Sequence, residues 1–223
     1  DQVEALGYGS PVVQRFGESF GIPLAASDTV LVTVGALIER KGQAFVIKAL
    51  ADLPNARLLL VGAGADETSL RGLARQVGVA DRVHFLGSLE PALLPPILSA
   101  ADAMVLPSAS EGLANAWIEA LACGTPIVIT DAGGAREVVT SPAAGVIVAR
   151  TCRAVREGIE QVMRNPRPPQ MVAATVERFS WAANAAALAA HYDAVEFLLV
   201  AELVVVCVVV FGVGADLFFE FVG

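Results

Sequence analysis

Short apolar runs rich in Val, Ile and Leu recur between residues 29 and 148, separated by longer stretches in which apolar positions return every three or four residues. The runs Thr29–Val34, Arg57–Val61, Arg82–Leu86, Ala103–Leu106, Pro126–Ile129 and Gly145–Val148 predict strands. Their hydrophobicity is nearly continuous rather than alternating, which predicts a parallel sheet covered on both faces. The intervening stretches Gly42–Leu53, Glu67–Val77, Pro91–Ala100, Leu113–Cys123 and Ala135–Val139 predict helices. Three more helical stretches follow, Arg153–Met163, Pro169–Arg178 and Trp181 to about Val195. The predicted fold class is α/β, a Rossmann-like parallel sheet with helices on both faces, formed by residues 29–195. Residues 1–28 read as a remnant or linker.

Residues 197–223, FLLVAELVVVCVVVFGVGADLFFEFVG, break the pattern: they contain no Lys or Arg and are dominated by Val and Phe. A membrane span needs about 20 apolar residues and usually a basic flank. Glu202 interrupts this run and no basic flank is present. A buried core element and a non-native end are the other two readings, and residues 196–223 are taken as an atypical hydrophobic tail.

Composition narrows the function. The chain has 223 residues, 55% of them hydrophobic, which is ample for a core. A net charge of -8 with only 15 Lys plus Arg offers no grip on a phosphate backbone, so no nucleic-acid partner is expected. Cys123, Cys152 and Cys207 are far apart and show neither C-x-x-C nor Cys/His spacing, which argues against a disulfide framework or a zinc site and fits a reducing, cytoplasmic setting. His84 and His191 are isolated, and His84, inside a strand pattern, reads as structural. Asp1 to Gly9 hold no basic region followed by an apolar run, the form a secretion signal takes. The chain starts at Asp rather than Met, so a segment of a longer protein is expected.

The residues with chemical potential gather at one place. Gly35 ends the first predicted strand, Gly62 and Gly64 the second, Gly87 and Ser88 the third; Ser108 to Gly112 follow the fourth, and Asp131, Gly133 and Gly134 the fifth. In an open α/β sheet these positions share the edge formed by the carboxyl ends of the strands, where ligands bind. Any one of these glycines is equally at home in a plain turn. Five such turns on one edge point to a site.

The stretch Ser108–Ala120 is the most informative. With Glu111 just before a helix and Glu119 just over two turns into it, a rise of 1.5 Å per residue separates them by about 12 Å, a spacing that brackets a diphosphate. The amides of Gly112, Leu113 and Ala114 at the predicted helix start can receive phosphate oxygens, aided by the helix dipole. The carboxylates then accept hydrogen bonds from sugar hydroxyls. A plain alternative is that Glu111 complements the dipole and Glu119 is a solvated surface residue.

Glu111 and Glu119 with seven residues between them, followed by Ala120-Leu121-Ala122-Cys123-Gly124-Thr125-Pro126 and by Gly133-Gly134-Ala135-Arg136-Glu137, resemble the C-terminal domain of the family 4, or group 1, glycosyltransferases of GT-B fold. The resemblance runs from about Leu31 to Tyr192 and includes Gly35-Ala36-Leu37-Ile38-Glu39-Arg40-Lys41-Gly42, Val61-Gly62-Ala63-Gly64, Val83-His84-Phe85-Leu86-Gly87 and the late Phe179-Ser180-Trp181. It implies a retaining transfer of a sugar from a nucleoside diphosphate sugar to a glycan or lipid-linked acceptor, in polysaccharide or glycoconjugate assembly on the cytoplasmic side of a membrane. Lys41, with Arg40, would neutralise the leaving diphosphate, Glu119 would hold the ribose, Glu111 the transferred sugar, and Gly87 with Ser88 would lie near the base. Ala36 stands where the family often has Arg. No Asp-x-Asp occurs, so no metal is expected to bridge the diphosphate. In the family a second, N-terminal domain brings the acceptor, and the residues before Leu31 are too few to form one.

Three other functions fit parts of the pattern. A non-catalytic nucleotide-binding module would keep the fold and be indifferent to Glu111. A dinucleotide-dependent oxidoreductase would use Gly62-x-Gly64, but Glu67 stands where its fingerprint needs Gly or Ala. A sugar-nucleotide 2-epimerase shares the expected architecture.

Overall fold

The computed structural model describes residues 21, 22, 24, 25, 27–179 and 190. Six strands form a single parallel sheet: β1 (Thr29–Val34), β2 (Ala56–Val61), β3 (Val83–Gly87), β4 (Ala103–Leu106), β5 (Ile127–Thr130) and β6 (Gly145–Val148). Their order is β3-β2-β1-β4-β5-β6. The helices are α1 (Gln43–Ala49), α2 (Glu67–Val77), α3 (Leu94–Ala100), α4 (Asn115–Ala122), α5 (Ala135–Val138), α6 (Cys152–Arg164) and α7 (Pro169–Ala173). All the predicted strands are present, with ends that differ by at most one residue. The sheet belongs to a compact unit, Asp1–Glu177; a second unit, Arg178–Gly223, lies almost entirely outside the described residues. The predicted helix from Trp181 to about Val195 is represented only by Ala190, and His191, Cys207 and the tail from 196 lie outside the described residues.

Strand periodicity divides the core into two layers. Leu31, Leu58, Leu60, Val105 and Val128 form one buried cluster with Val46 and Ile47 of α1, Leu70 and Ala74 of α2, and Val155, Ile159 and Val162 of α6. The alternate residues Val30, Val32, Leu59, Met104, Leu106, Ile127 and Ile129 are equally buried and face the other side, as the two-residue period requires. α6 shows how sequence specifies such a layer. Thr151 caps its start by accepting from the Ala154 amide, Val155, Ile159 and Val162 repeat on its inner face, and Arg153–Glu157 and Arg164–Glu160 pair on its outer face.

Helix ends differ from the sequence expectation where local bonds compete. The stretch 42–53 splits into α1 and a 3-10 turn, Leu50–Asp52, whose carbonyls are gripped by Arg82: its guanidinium donates to Leu53 O at 2.7 Å and Leu50 O at 3.0 Å. Pro91–Ala100 likewise begins as a 3-10 turn, Pro91–Leu93, before α3. Among the described residues no helix is long and apolar enough to cross a membrane.

One carboxyl sits at the opposite, amino-terminal edge of the sheet. Asp102 accepts the Val30 N–H at 2.7 Å and is largely withdrawn from water. Burial pushes its pKa up to about 6 from 3.8, against the opposing pull of that bond. Between these two values the folded protein holds a proton that the unfolded chain has released, so the stability this group contributes is complete below pH 3.8 and is lost as pH rises to about 6. Asp102→Asn keeps an acceptor for Val30 and cannot ionise. Relative to the parent it is expected to gain about 3 kcal/mol of stability between pH 3.5 and 7, at about 1.36 kcal/mol per unit. Urea unfolding at the two pH values measures this, and parallel pH dependence of the two proteins would refute it.

Candidate functional site

The strand order puts the topological switch between β1 and β4, whose crossovers leave in opposite directions and open a crevice at their carboxyl ends. Two loops border it, residues 35–42 after β1 and residues 107–114 after β4. They are stitched together. The Ala109 amide donates to Arg40 O at 2.7 Å, and Arg40 Nη1 donates to Ser110 O. Gly42, at φ 76°, lies so close to the Pro107 carbonyl that a Cβ would overlap it.

Across this seam Lys41 and Glu111 meet: Lys41 Nζ lies 2.6 Å from Glu111 Oε1, and Arg40 Nη1 lies 3.6 Å from Oε2. The Glu111 side chain is 7% exposed and that of Lys41 14%. Burial alone would push the Glu111 pKa up, and it is the largest single influence. A hydrogen bond from Lys41, the Ser108 hydroxyl nearby and the charges of Lys41 and Arg40 outweigh it and hold the carboxyl below its ordinary range. The buried Ser108 Oγ completes no hydrogen bond among the described residues. The Lys41 stem passes over Gly35, where a Cβ would lie 3.6 Å from its Cε.

The helix that follows begins later than the sequence suggests, which corrects the placement of Glu119. α4 starts at Asn115, with Ala114 extended at φ -72° and ψ 120°, so Glu119 lies little more than one turn into it. The Gly112 carbonyl accepts the Gly134 amide at 2.8 Å instead of an amide of a first helical turn, and the first turn closes from Trp117 N to Ala114 O. Trp117 is fully buried and anchors the helix. The amides of Gly112, Leu113 and Ala114 therefore lie in a loop before the helix, not in its first turn, and make no backbone hydrogen bond among the described residues. Glu119 is exposed, with no ion-pair partner among the described residues.

The glycines divide by physical cause. Gly62, at φ 130°, abuts the Gly35 carbonyl, and Gly64 abuts that of Leu37, so both allow the β2 loop to press on the β1 loop. Gly87, at φ 67°, accepts the Gly62 amide at 2.8 Å and turns the chain to the exposed Ser88. Gly112 has neither a positive φ nor any neighbour within 4 Å of a built Cβ. Nothing in the fold demands glycine there, and open space lies before it. His84 is half-buried, and burial, with Arg57 nearby, pulls its pKa down; its Nε2 has no partner among the described residues.

One residue at this edge carries no sequence signal of its own. Arg150, two residues beyond β6, donates from Nε to Pro107 O at 3.0 Å and from Nη2 to Glu39 O at 2.7 Å. It also stacks on Phe45 of α1, 4.8 Å from the ring centroid. The rule that ligand-site residues follow strand ends would have pointed to it.

Known proteins resemble this chain over the same region. A relative from Corynebacterium glutamicum, named GDP-mannose-dependent monoacylated alpha-(1-6)-phosphatidylinositol monomannoside mannosyltransferase, is 40% identical over 138 residues, covering 56% of this chain and 35% of its own length. Sucrose-phosphate synthase from Thermosynechococcus elongatus superposes with a TM-score of 0.71 at 28% identity, over 82% of this chain and 48% of that one. Anabaena HepE in complex with UDP gives 0.66 at 26% identity, over 76% and 48%. The chain thus spans about a third of the length of the curated relative and about half of these solved chains. Its sheet is the Rossmann-like one implied for the C-terminal half of a GT-B fold. Residues 15–179 match the family model described as glycosyl transferases group 1, and to that family the chain belongs.

Proposed function

We propose that the crevice between β1 and β4 binds a nucleoside diphosphate sugar and supplies the donor half of a retaining sugar transfer. The observation that carries this reading is the Lys41–Glu111 pair at 2.6 Å, flanked by Arg40 and by the unclaimed amides of Gly112, Leu113 and Ala114. Cation and carboxylate satisfy each other across the crevice. A donor would separate their duties, its diphosphate taking the ammonium and the amides, its sugar hydroxyls taking the Glu111 carboxylate. When the bond from the anomeric carbon to the β-phosphate oxygen breaks, negative charge collects on the departing diphosphate, where Lys41 and Arg40 stabilise it. The acceptor oxygen forms the new bond on the same sugar face, and its proton leaves with the diphosphate. Arg40 supplies from the turn the second positive charge that Ala36 does not, and we propose that no metal ion is needed.

On this reading Glu119 would accept from the ribose, and the Gly87–Ser88 turn would border the base. That the Corynebacterium relative is named as GDP-mannose-dependent and that HepE is seen with UDP supports a nucleotide-sugar donor. A glycan or lipid-linked acceptor, on the cytoplasmic face of a membrane, would be held by a part of the protein outside this domain.

Titration calorimetry of this chain with UDP-, GDP- and ADP-sugars in EDTA tests the reading. Micromolar binding of one of them, competed by its free nucleoside diphosphate, is expected; failure of all three to bind rejects it. Gly112→Ala sharpens the test. With nothing near the added methyl, stability should stay within about 0.5 kcal/mol of the parent. Donor affinity should fall about tenfold, roughly 1.4 kcal/mol, because the methyl enters the space the phosphate would occupy. Unchanged affinity would remove the Gly112 loop from the phosphate site.

A further inference from the structure

We infer that Arg150 is a positioning residue for this site: from the β6–α6 connection it fixes the Glu39–Lys41 turn against the loop that carries Glu111, and so holds the Lys41 ammonium where the diphosphate is received. The inference rests on the donor-site reading.

Its geometry is that of a clamp rather than of a surface ion pair. Three of the bonds available to the guanidinium run to backbone carbonyls, Pro107 O at 3.0 Å, Glu39 O at 2.7 Å and Arg40 O at 3.5 Å. No carboxylate pairs with it among the described residues. Pro107 closes β4 and starts the loop to Glu111, whereas Glu39 and Arg40 belong to the 3-10 turn Glu39–Lys41. One planar group thus joins the two loops through their backbones, while Lys41 and Glu111 join them through side chains. The turn itself is short, and its further ties across the seam include the Ala109 amide to Arg40 O, the Arg40 side chain to Ser110 O and the Arg40–Glu111 ion pair at 3.6 Å.

The chemistry favours arginine specifically. A guanidinium presents several donors in one plane, so it can serve carbonyls from two loops at once while its face rests on Phe45. An ammonium is a point donor that cannot hold both loops and stack. The positive charge also complements the carbonyl end of the 3-10 turn. Arg150 need not touch a ligand for any of this.

The test uses the full chain with Arg150→Lys and Arg150→Ala, each alone and combined with Lys41→Ala. Arg150→Lys preserves the charge, so it serves if the alanine variant folds poorly. Calorimetry with the sugar nucleotide that binds the parent should show about a tenfold loss for both Arg150 variants. In the Lys41→Ala background the further loss should shrink below about twofold, because a residue that acts through Lys41 has nothing left to place. A donor-free readout accompanies it: the side-chain carbon titration of Glu111 should move to higher pH in Arg150→Lys as the Lys41 ammonium drifts from the carboxylate. Full, additive losses in both backgrounds, or an unmoved Glu111 titration, overturn the inference. If the parent binds no sugar nucleotide, the donor-site reading fails, and the Glu111 titration alone decides whether Arg150 places Lys41.

Discussion

Lys41→Met is expected to weaken binding of a nucleoside diphosphate sugar about a hundredfold. The methionine keeps most of the stem that passes over Gly35 and removes only the ammonium. A charge-assisted hydrogen bond to a phosphate oxygen contributes about 1.5–3 kcal/mol, and about 2.7 kcal/mol corresponds to two decades in affinity. The same change leaves Glu111, 7% exposed, with only Arg40 at 3.6 Å. Stability at pH 7 should therefore fall by about 1–3 kcal/mol. The sign of its pH dependence follows from the depressed Glu111 pKa. That depression contributes stability above the ordinary value of 4.5 and loses it as pH falls through the folded-state value. The gap between parent and variant should accordingly be full at pH 7 and close in acid. Adding Glu111→Gln to Lys41→Met should restore much of the stability but none of the affinity, which separates the two roles of the ammonium. Calorimetry and urea unfolding of the parent and the two variants measure both. An affinity within threefold of the parent would place the diphosphate elsewhere.

Much of the architecture was readable in the chain because parallel strands buried on both faces leave a strong mark. Val30 to Val32, Leu58 to Val61 and Met104 to Leu106 are buried without interruption, so no face periodicity had to be guessed. Helix starts were harder to read. Leu113 and Ala114 are good helix formers, yet α4 starts only at Asn115, where the Gly112 carbonyl is engaged by the Gly134 amide, twenty-two residues on. Propensity is local; that bond is not. The same limit governs the site. Lys41 and Glu111 could each be singled out by their place after a strand, but their 2.6 Å contact depends on β1 and β4 lying side by side at the switch. Arg150 had only its place after a strand end as a signal, because its partners are carbonyls, which every residue has, so no side-chain pattern announces them.

Gly133→Ala is expected to damage both stability and donor binding through a single added methyl at the sheet's carboxyl edge. Gly133 is exposed, so side-chain burial gives no warning, yet its φ is 54° and a built Cβ overlaps the carbonyl oxygens of both Glu111 and Gly112. Both obstacles are backbone, which cannot rotate away as a flexible side chain would. The left-handed conformation alone costs a non-glycine residue about 1–2 kcal/mol. Gly78→Ala isolates that component: its φ is 78° and nothing lies within 4 Å of the added atom, at the end of α2 far from the crevice in sequence. It should lose about 1 kcal/mol and keep full donor affinity. Gly133→Ala should lose that much and more, because the Gly133–Gly134 turn must lift from the Glu111–Gly112 backbone and break the Gly134 N–H bond to Gly112 O at 2.8 Å. With that bond gone the Gly112 carbonyl is free to join a longer helix, and Glu111 turns away from Lys41. Donor affinity should then fall by more than tenfold, and the Glu111 titration should rise toward 4.5. Equal stability losses in the two glycine variants, with donor affinity retained in both, would show that the β5 loop merely lies against the Glu111 backbone and does not hold it.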